Sequence, residues 1–402
     1  MAFAFLLAVA PAHANDARYP FGSSHVEFPL GTLRPSQSQA DIDDATAAFY
    51  DQWKARYLID GCGPEQKRIR MEAGKIWSVS EGQGYGMVIV ALMAGHDPEA
   101  QTIFDQLLHY ARRHRSDFDR ALMAWAQNEH CQDVEGRDSA TDGDLDIAYG
   151  LLLADRQWGS TSGIDYRGEA EQTLTAITRH TIDGATGLTL LGDWVAPDGD
   201  YAHATRTSDW MIDHFRAFAK LDPITWNRAI DAHLALALKL QQEFAPQTGL
   251  LPDFVSDTTQ APKPAPPKFL EADTDGDFAW NACRTPWRLG TDAVLSGDHR
   301  SVTAVRRMTQ WIRTATGDDP AKIGESYRLD GTVLDPAMSM AFTAPFAVAA
   351  MSASADTPGA QQWLDALWDR LAATPPQDYY ADSIKLQAMI TMGGNWWSPT
   401  RR

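Results

Sequence analysis

Cysteine is scarce in this chain. Its 402 residues include only Cys62, Cys131 and Cys283. There is no CxxC pair and no His/Cys cluster with zinc spacing, so neither a thiol redox motif nor a zinc ribbon is present. Three cysteines cannot all pair within one chain. Cys62 and Cys131 lie in the polar, loop-like segments DGCGP and NEHCQD and are the two that could form a bridge. Cys283 reads as a small buried residue. Positive charge is also in deficit, with 35 Lys and Arg against 53 Asp and Glu and a formal net charge of −18. Such a chain repels nucleic acid and anionic membranes. The charge suits a neutral or cationic ligand, and plain solubility is its simplest use.

Long apolar runs are missing everywhere except at the N-terminus. There MAFAFLLAVAPAHA resembles the apolar core of a secretory signal peptide, with Ala12-His13-Ala14 as its cleavage site. It lacks a basic leader, as a truncated start would. The expectation is export to the periplasm or the medium, with the mature chain starting near Asn15. No later segment reaches the 18 uninterrupted apolar residues of a membrane span. A GxSxG elbow and a recognisable His triad are both lacking, which removes serine-hydrolase chemistry.

Strand signals are few, and helical periodicity dominates in two forms. Amphipathic segments fall near 39–56, 98–113, 165–180, 223–243, 298–315 and 359–372. Segments apolar or small nearly all round fall near 80–95, 144–156, 207–220, 284–296, 337–352 and 380–391. A helix that is apolar on every side must be buried on every side. The two kinds alternate, which predicts six helical hairpins closing into an all-α (α/α)6 barrel. The length would also fit two domains. The alternation nevertheless runs through 15–402, so a single domain is expected. The Pro-rich TTQAPKPAPPKF is then a loop excursion rather than a linker.

Links from buried to amphipathic segments are short. Links in the other direction are mostly long, and in a closed ring they share one end. Long loops on a rigid scaffold are where function usually sits. The carboxylates of interest lie in those links: Glu81; Asp142, Asp144 and Asp146; Asp209; and Glu271, Asp273, Asp275 and Asp277. Helix capping explains an isolated Asp well. It explains four converging groups less well, and Glu81 least, since Ser80 would be the cap. A calcium loop is disfavoured, because neither Asp triplet has the Gly after its third acid or the terminal Glu. No metal and no cofactor are expected.

The 14 Trp are many for this length. Trp77, Trp125, Trp194 and Trp280 share the long links with Tyr327, and Trp210 stands near a helix end. Their flat faces suit the C–H faces of sugar rings, although large aromatics also fill cores and staple loops. Arg206, Arg284 and Arg288 add donors beside the acids. Acids in an aromatic cleft point to hydrolysis of a glycosidic bond, which needs one protonated carboxyl and one ionised carboxylate.

Five segments, SEGQGYGM at 80–87, ATDGDLDIAYGLLLAD at 140–155, TSDWMIDHFRAF at 207–218, NACRTPWRLGTD at 281–292 and DSIKLQAMITMGGNWW at 382–397, resemble glycoside hydrolase family 8. Gly150 is a small departure, where the family more often has Ala or Ser. The resemblance implies an (α/α)6 barrel and inverting, endo-acting attack on β-linked glycans. It implies that Glu81 is the general acid and that Asp142 binds and distorts the sugar at the cleavage point. It also implies substrate-binding roles for Tyr85, Arg206, Asp209, Asn281 and Arg284, beside the aromatics above.

Many members carry an Asp as general base where this chain has Asn281, and an amide cannot take a proton from water. The chain thus resembles the subgroup with Asn there, which includes chitosanases, lichenases and some endoglucanases. The base then falls to Glu271, with Asp273 and Asp275 as alternatives. Glu81 must stay protonated near neutral pH, by partial burial and nearby acid. The two carboxyls should lie about 6.5–9.5 Å apart, with room for a water. Three functions remain in view: a β-1,4-glucan or mixed-linkage glucan hydrolase, a chitosanase with the same mechanism, or a non-catalytic glycan-binding protein on a hydrolase scaffold. A monomer is expected.

Overall fold

Each helix that the sequence paints apolar all round sits inside, and each amphipathic one sits outside. In the computed structural model, residues 17–400 are described apart from Glu72 and Ser162. The candidate signal peptide therefore lies outside the described residues. The outer helices are α1 (Gln39–Tyr57), α3 (Ala100–Arg113), α5 (Tyr166–His180), α7 (Pro223–Glu243), α9 (His299–Thr316) and α11 (Ala360–Ala373). The inner helices are α2 (Ser80–Leu92), α4 (Thr141–Trp158), α6 (Ile212–Phe218), α8 (Thr285–Ser296), α10 (Met340–Ala350) and α12 (Tyr379–Met392). Every inner helix packs on the next, and α12 returns to α2, so the ring closes. The outer helices α3 to α11 each pack against the inner helix that precedes them in the chain, and α1 packs against α12. This is the (α/α)6 barrel.

Burial follows from composition. All of α10 is buried, as is α2 except for Glu81. Outer helices bury one stripe only: in α3, Ile103, Phe104, Leu107, Leu108 and Ala111 face inward. Spacings of three and four residues place those side chains on one face. Several outer helices start on capping side chains, such as Ser38 before α1, Asp222 before α7 and Asp298 before α9. Such caps satisfy the first free N–H groups of a helix.

The long links carry short antiparallel pairings among the described residues: β1 (Leu58–Asp60) with β2 (Lys67–Ile69), and β3 (Ser78–Val79) with β4 (Ala126–Gln127). Further along, β5 (Thr205–Arg206), β6 (Phe254–Ser256) and β7 (Lys263–Pro264) form a three-stranded patch, and β8 (Ser326–Tyr327) pairs with β9 (Val333–Asp335). Strands of two or three residues are too short to show alternation, so the sequence did not signal them. The Pro-rich excursion supplies β7 and folds back onto β6. Its loop packs on a satellite core of Leu191, Ala204, Phe254 and Ala265.

Two details differ from the sequence reading. The third inner segment is a single 3-10 turn at Thr207–Asp209 followed by a short helix, rather than one helix from 207. Ser80 lies inside α2 rather than capping it. Val79 precedes the helix with no side-chain cap, and the Ser80 N–H donates to the Trp125 carbonyl.

Candidate active site

Small residues at the start of α2 and α4 let the two helices meet closely. A Cβ on Gly143 would lie 2.6 Å from the Ser80 carbonyl carbon, and one on Gly84 would lie 2.6 Å from Asp146 Cβ. Real Cβ atoms do not approach so near, so these glycines set the helix spacing. The contact brings the first turns of both helices side by side, with Glu81 on one and Asp142 on the other. Gly82 does the same for α12, since a Cβ there would sit 2.8 Å from the Tyr379 hydroxyl.

The convergence ends on one guanidinium. Arg284, in the 3-10 turn before α8, donates from Nη1 to Glu81 Oε2 at 2.5 Å and to Asp142 Oδ2 at 3.0 Å. The same nitrogen approaches the Tyr85 hydroxyl at 3.4 Å. Arg284 Nη2 donates to Asn281 Oδ1 at 3.0 Å. The Asn281 amide passes the row on, with Nδ2 donating to Glu271 Oε2 at 2.8 Å. Arg206 Nη2 closes it, donating to Glu271 Oε1 at 2.8 Å. Glu81 and Glu271 thus stand at two ends of one row, Glu81–Arg284–Asn281–Glu271.

The two carboxyls differ in surroundings. The Glu81 side chain is 16% exposed and also accepts from the Tyr379 hydroxyl at 2.9 Å. Burial pushes its pKa above the ordinary carboxylate range; Arg284 pulls the other way, and the charge of Asp142 adds to the rise. Glu271 is 44% exposed on its loop. Beneath Arg206, Asp209 is fully buried with Oδ2 unpartnered, and burial raises its pKa to about 7 against the pull of Arg206.

The Asp142, Asp144 and Asp146 group does not act together. Residues two apart on a helix point some 200° apart. Only Asp142 reaches Arg284. Asp144 accepts the Met123 N–H at 3.0 Å. Asp146 lies in the barrel core, bonded to Arg288 at 2.6 Å and His214 at 2.9 Å. The charge of Arg288 and the hydrogen bond from His214 hold its pKa low despite burial. In the fourth acid group, Asp273 is exposed and pairs with Lys268, while Asp275 is fully buried.

The aromatics also divide. Trp77, Trp125 and Trp194 are partly exposed on the loop face, and Trp280, beside Asn281, is 44% exposed. The β3–β4 pairing brings the backbones of Trp77 and Trp125 to the start of α2, where Glu81 stands. Three candidate substrate contacts do not reach solvent. Trp210 is buried and donates to Thr205 Oγ1 at 3.1 Å. Tyr327 is buried, and its hydroxyl accepts the Gly324 N–H. Tyr85 is buried behind Arg284 and supports that guanidinium rather than facing the cleft. Each is a large ring placed where the core needs volume.

Sequence reasoning missed Tyr379, Tyr380 and Asp253. The two tyrosines open α12 directly after its cap, Asp378, and such a polar-tipped pair at the start of a buried helix was the available signal. Asp253 interrupts the apolar run Leu250–Phe254, and its Oδ1 accepts the N–H groups of Ala279, Asn281 and Ala282. Burial pushes its pKa up to about 8.

The bridge that the sequence allowed is present. Cys62 and Cys131 are joined at 2.01 Å. Alongside it, Arg68 donates to the carbonyls of Asn128 and Glu129 at 2.7 Å each. These ties hold the β1–β2 hairpin against the loop that follows β4. Cys283 is buried and free. Among the described residues, no cluster of His, Cys, Asp or Glu is placed to hold a metal, and no helix is long and apolar enough to cross a membrane.

Residues 36–394 match the model of glycosyl hydrolases family 8. A β-glucanase of Niallia circulans is 40% identical over 98% of this chain and 95% of its own length. An endoglucanase of Bacillus sp. strain KSM-330 is 36% identical over 92% of this chain and 80% of its own. The solved apo β-1,3-1,4-glucanase from Paenibacillus sp. X4 superposes with a TM-score of 0.90 at 40% identity, covering 94% of this chain and 99% of that one. Matches of this extent, on a barrel whose mouth gathers acids and aromatics, establish that the chain belongs to glycosyl hydrolases family 8 and is a glycoside hydrolase.

Proposed function

We propose that the protein is an exported, endo-acting hydrolase of β-1,4-linked or mixed-linkage β-glucan, with Glu81 as general acid and Glu271 as general base. The observation that carries this reading is the row Glu81–Arg284–Asn281–Glu271, with a buried carboxyl at one end and a solvated one at the other. Environment separates acid from base in such pairs. Glu81, its pKa raised by burial, keeps the proton it gives to the departing glycosidic oxygen. Glu271, bonded by Arg206 and Asn281 and open to solvent, takes a proton from the water that attacks the anomeric carbon from the opposite face. One C–O bond breaks, one forms, and the configuration inverts. Asp142, held by Arg284, is the residue that grips and distorts the sugar at the cleavage point in this reading.

Asn281 fits this scheme because of what it touches. An amide donates to Glu271 at 2.8 Å, where a second carboxylate would repel it. The part-exposed Trp77, Trp125, Trp194 and Trp280 offer faces to the glucan chain. Arg206 and Arg284 offer polar contacts, with the fully buried Asp209 behind them. Named relatives act as β-glucanase and endoglucanase, which favours a neutral glucan over chitosan. The disulfide suits an oxidising compartment, in line with export to the periplasm or the medium. A monomer suffices, because the row is built within one chain.

Reducing-sugar release from lichenan, carboxymethylcellulose and chitosan tests the reading. The expected order places the two glucans well above chitosan. Release from chitosan alone would move the assignment to chitosanase, and no release from any of them would favour a binding protein.

A further inference from the structure

Glu271 stands on a loop, yet a base must be held within a fraction of an ångström of its water. Three observations show what holds it. Both oxygens of Asp275 are turned inward onto the loop's own backbone. Oδ2 accepts the N–H of Leu270 at 2.7 Å and of Glu271 at 2.9 Å, and Oδ1 accepts that of Ala272 at 2.8 Å. Asp275 is fully buried. The loop is pinched at its neck as well, where the Lys268 N–H donates to the Ala272 carbonyl at 2.7 Å with Lys268 at φ +57°, a region that non-glycine residues rarely adopt. Phe269 and Leu270 lie on the satellite core, and the Tyr201 hydroxyl donates to the Phe269 carbonyl at 3.2 Å.

A carboxylate that accepts three backbone N–H groups in a buried setting fixes the direction of the chain that carries them. One of the three is the amide of Glu271 itself, flanked on either side by the other two. Asp253 does the same for the other partner, gripping the N–H of Asn281. The side-chain contact between Glu271 and Asn281 is thus set by two buried aspartates, one under each backbone.

We infer that Asp275 is a positioning residue for the general base, fixing the loop so that the Glu271 carboxylate meets Asn281 and Arg206. Asp275 does not touch substrate. With both oxygens occupied and no exposure, it has no way to abstract a proton from the attacking water. The inference rests on the reading of Glu271 as base, and the experiment keeps the two apart.

Four chains are compared on lichenan: wild type, Glu271→Gln, Asp275→Asn and the double variant. An Asn at 275 retains one accepting oxygen but presents an NH2 where a second acceptor is needed, so the loop shifts. A misplacement of about 1 Å can cost on the order of 10²-fold in rate. The expected result for Asp275→Asn is a fall in kcat of about 10–100-fold with KM changed by less than about twofold. Its melting temperature should stay within a few degrees of wild type, because the loop lies on a satellite core. In the Glu271→Gln background the second substitution should cost nothing further, since residues acting through one another are not additive.

Wild-type kcat in Asp275→Asn overturns the inference while leaving Glu271 as base. An unfolded Asp275→Asn chain, or a rise in KM equal to the fall in kcat, also overturns it by assigning Asp275 to stability or binding. Near-normal turnover in Glu271→Gln, with Asp275→Asn inactive, contradicts both proposals and makes Asp275 the base.

Discussion

The two ends of the hydrogen-bonded row rest on different kinds of structure. Glu81 belongs to the first turn of an inner helix, walled by α4 and α12, with 16% of its side chain exposed. Glu271 belongs to a loop over a satellite core, with 44% exposed. Helix packing fixes the first through glycines that admit close neighbours. Hydrogen bonds to Arg206 and Asn281 fix the second. Burial raises the pKa of Glu81 on the dry wall, whereas Glu271 stands open to solvent. On the proposed reading, one barrel runs acid and base chemistry together with the same functional group on both sides.

The largest effect expected from breaking this contrast falls on the dry wall. Glu81→Gln should lower kcat on lichenan by about 10²–10⁴-fold, the usual worth of a general acid, without loss of fold by circular dichroism. A smaller change makes the walls more alike. Asn281→Asp puts a second carboxylate where an amide now donates to Glu271 at 2.8 Å, so one of the pair holds its proton to higher pH. A base works only when ionised, and the acidic limb of the kcat/KM profile should therefore move up by about one pH unit. An unmoved limb would mean that Glu271 is not the group seen there.

Sharpening the dry wall should shift the other limb. The Tyr379 hydroxyl bonds the Glu81 carboxyl and opposes its raised pKa. Tyr379→Phe removes that bond, so Glu81 should hold its proton to higher pH. A general acid works while protonated, and the alkaline limb should move upward with only a few-fold change in the maximum. The smallest effect on turnover is expected at the disulfide. Cys62→Ser should cost about 2–4 kcal/mol of stability, read by denaturant unfolding, with kcat nearly unchanged. A large loss of kcat would show that the Trp77–Trp125 wall depends on the bridge.

The architecture was legible because burial leaves a strong mark on helices. FTAPFAVAA in α10 has no polar face, whereas α3 has an apolar stripe, and that contrast alone orders the rings. Less was legible where the chain is irregular. The turn at Thr207–Asp209 has the same composition as a helix start. The strands of the long links are two or three residues long, below any readable period. Within the site, Glu81, Asp142, Asn281 and Arg284 were visible as motif residues, and the structure brings all four together. Ring size alone could not tell a core tryptophan such as Trp210 from an exposed one such as Trp280, since that depends on which neighbours close over the ring. Asp253 and Asp275 act on backbone amides that only the folded loop collects. Spacing in sequence carries no mark of that.

The pairing of a dry acid with a wet base is tested most directly by the turnover of Glu271→Gln on lichenan. The expected result is a fall in kcat of about 10²–10⁴-fold with KM little changed, the loss due when a general base is removed. Near-wild-type turnover would contradict it and require another group to activate the water.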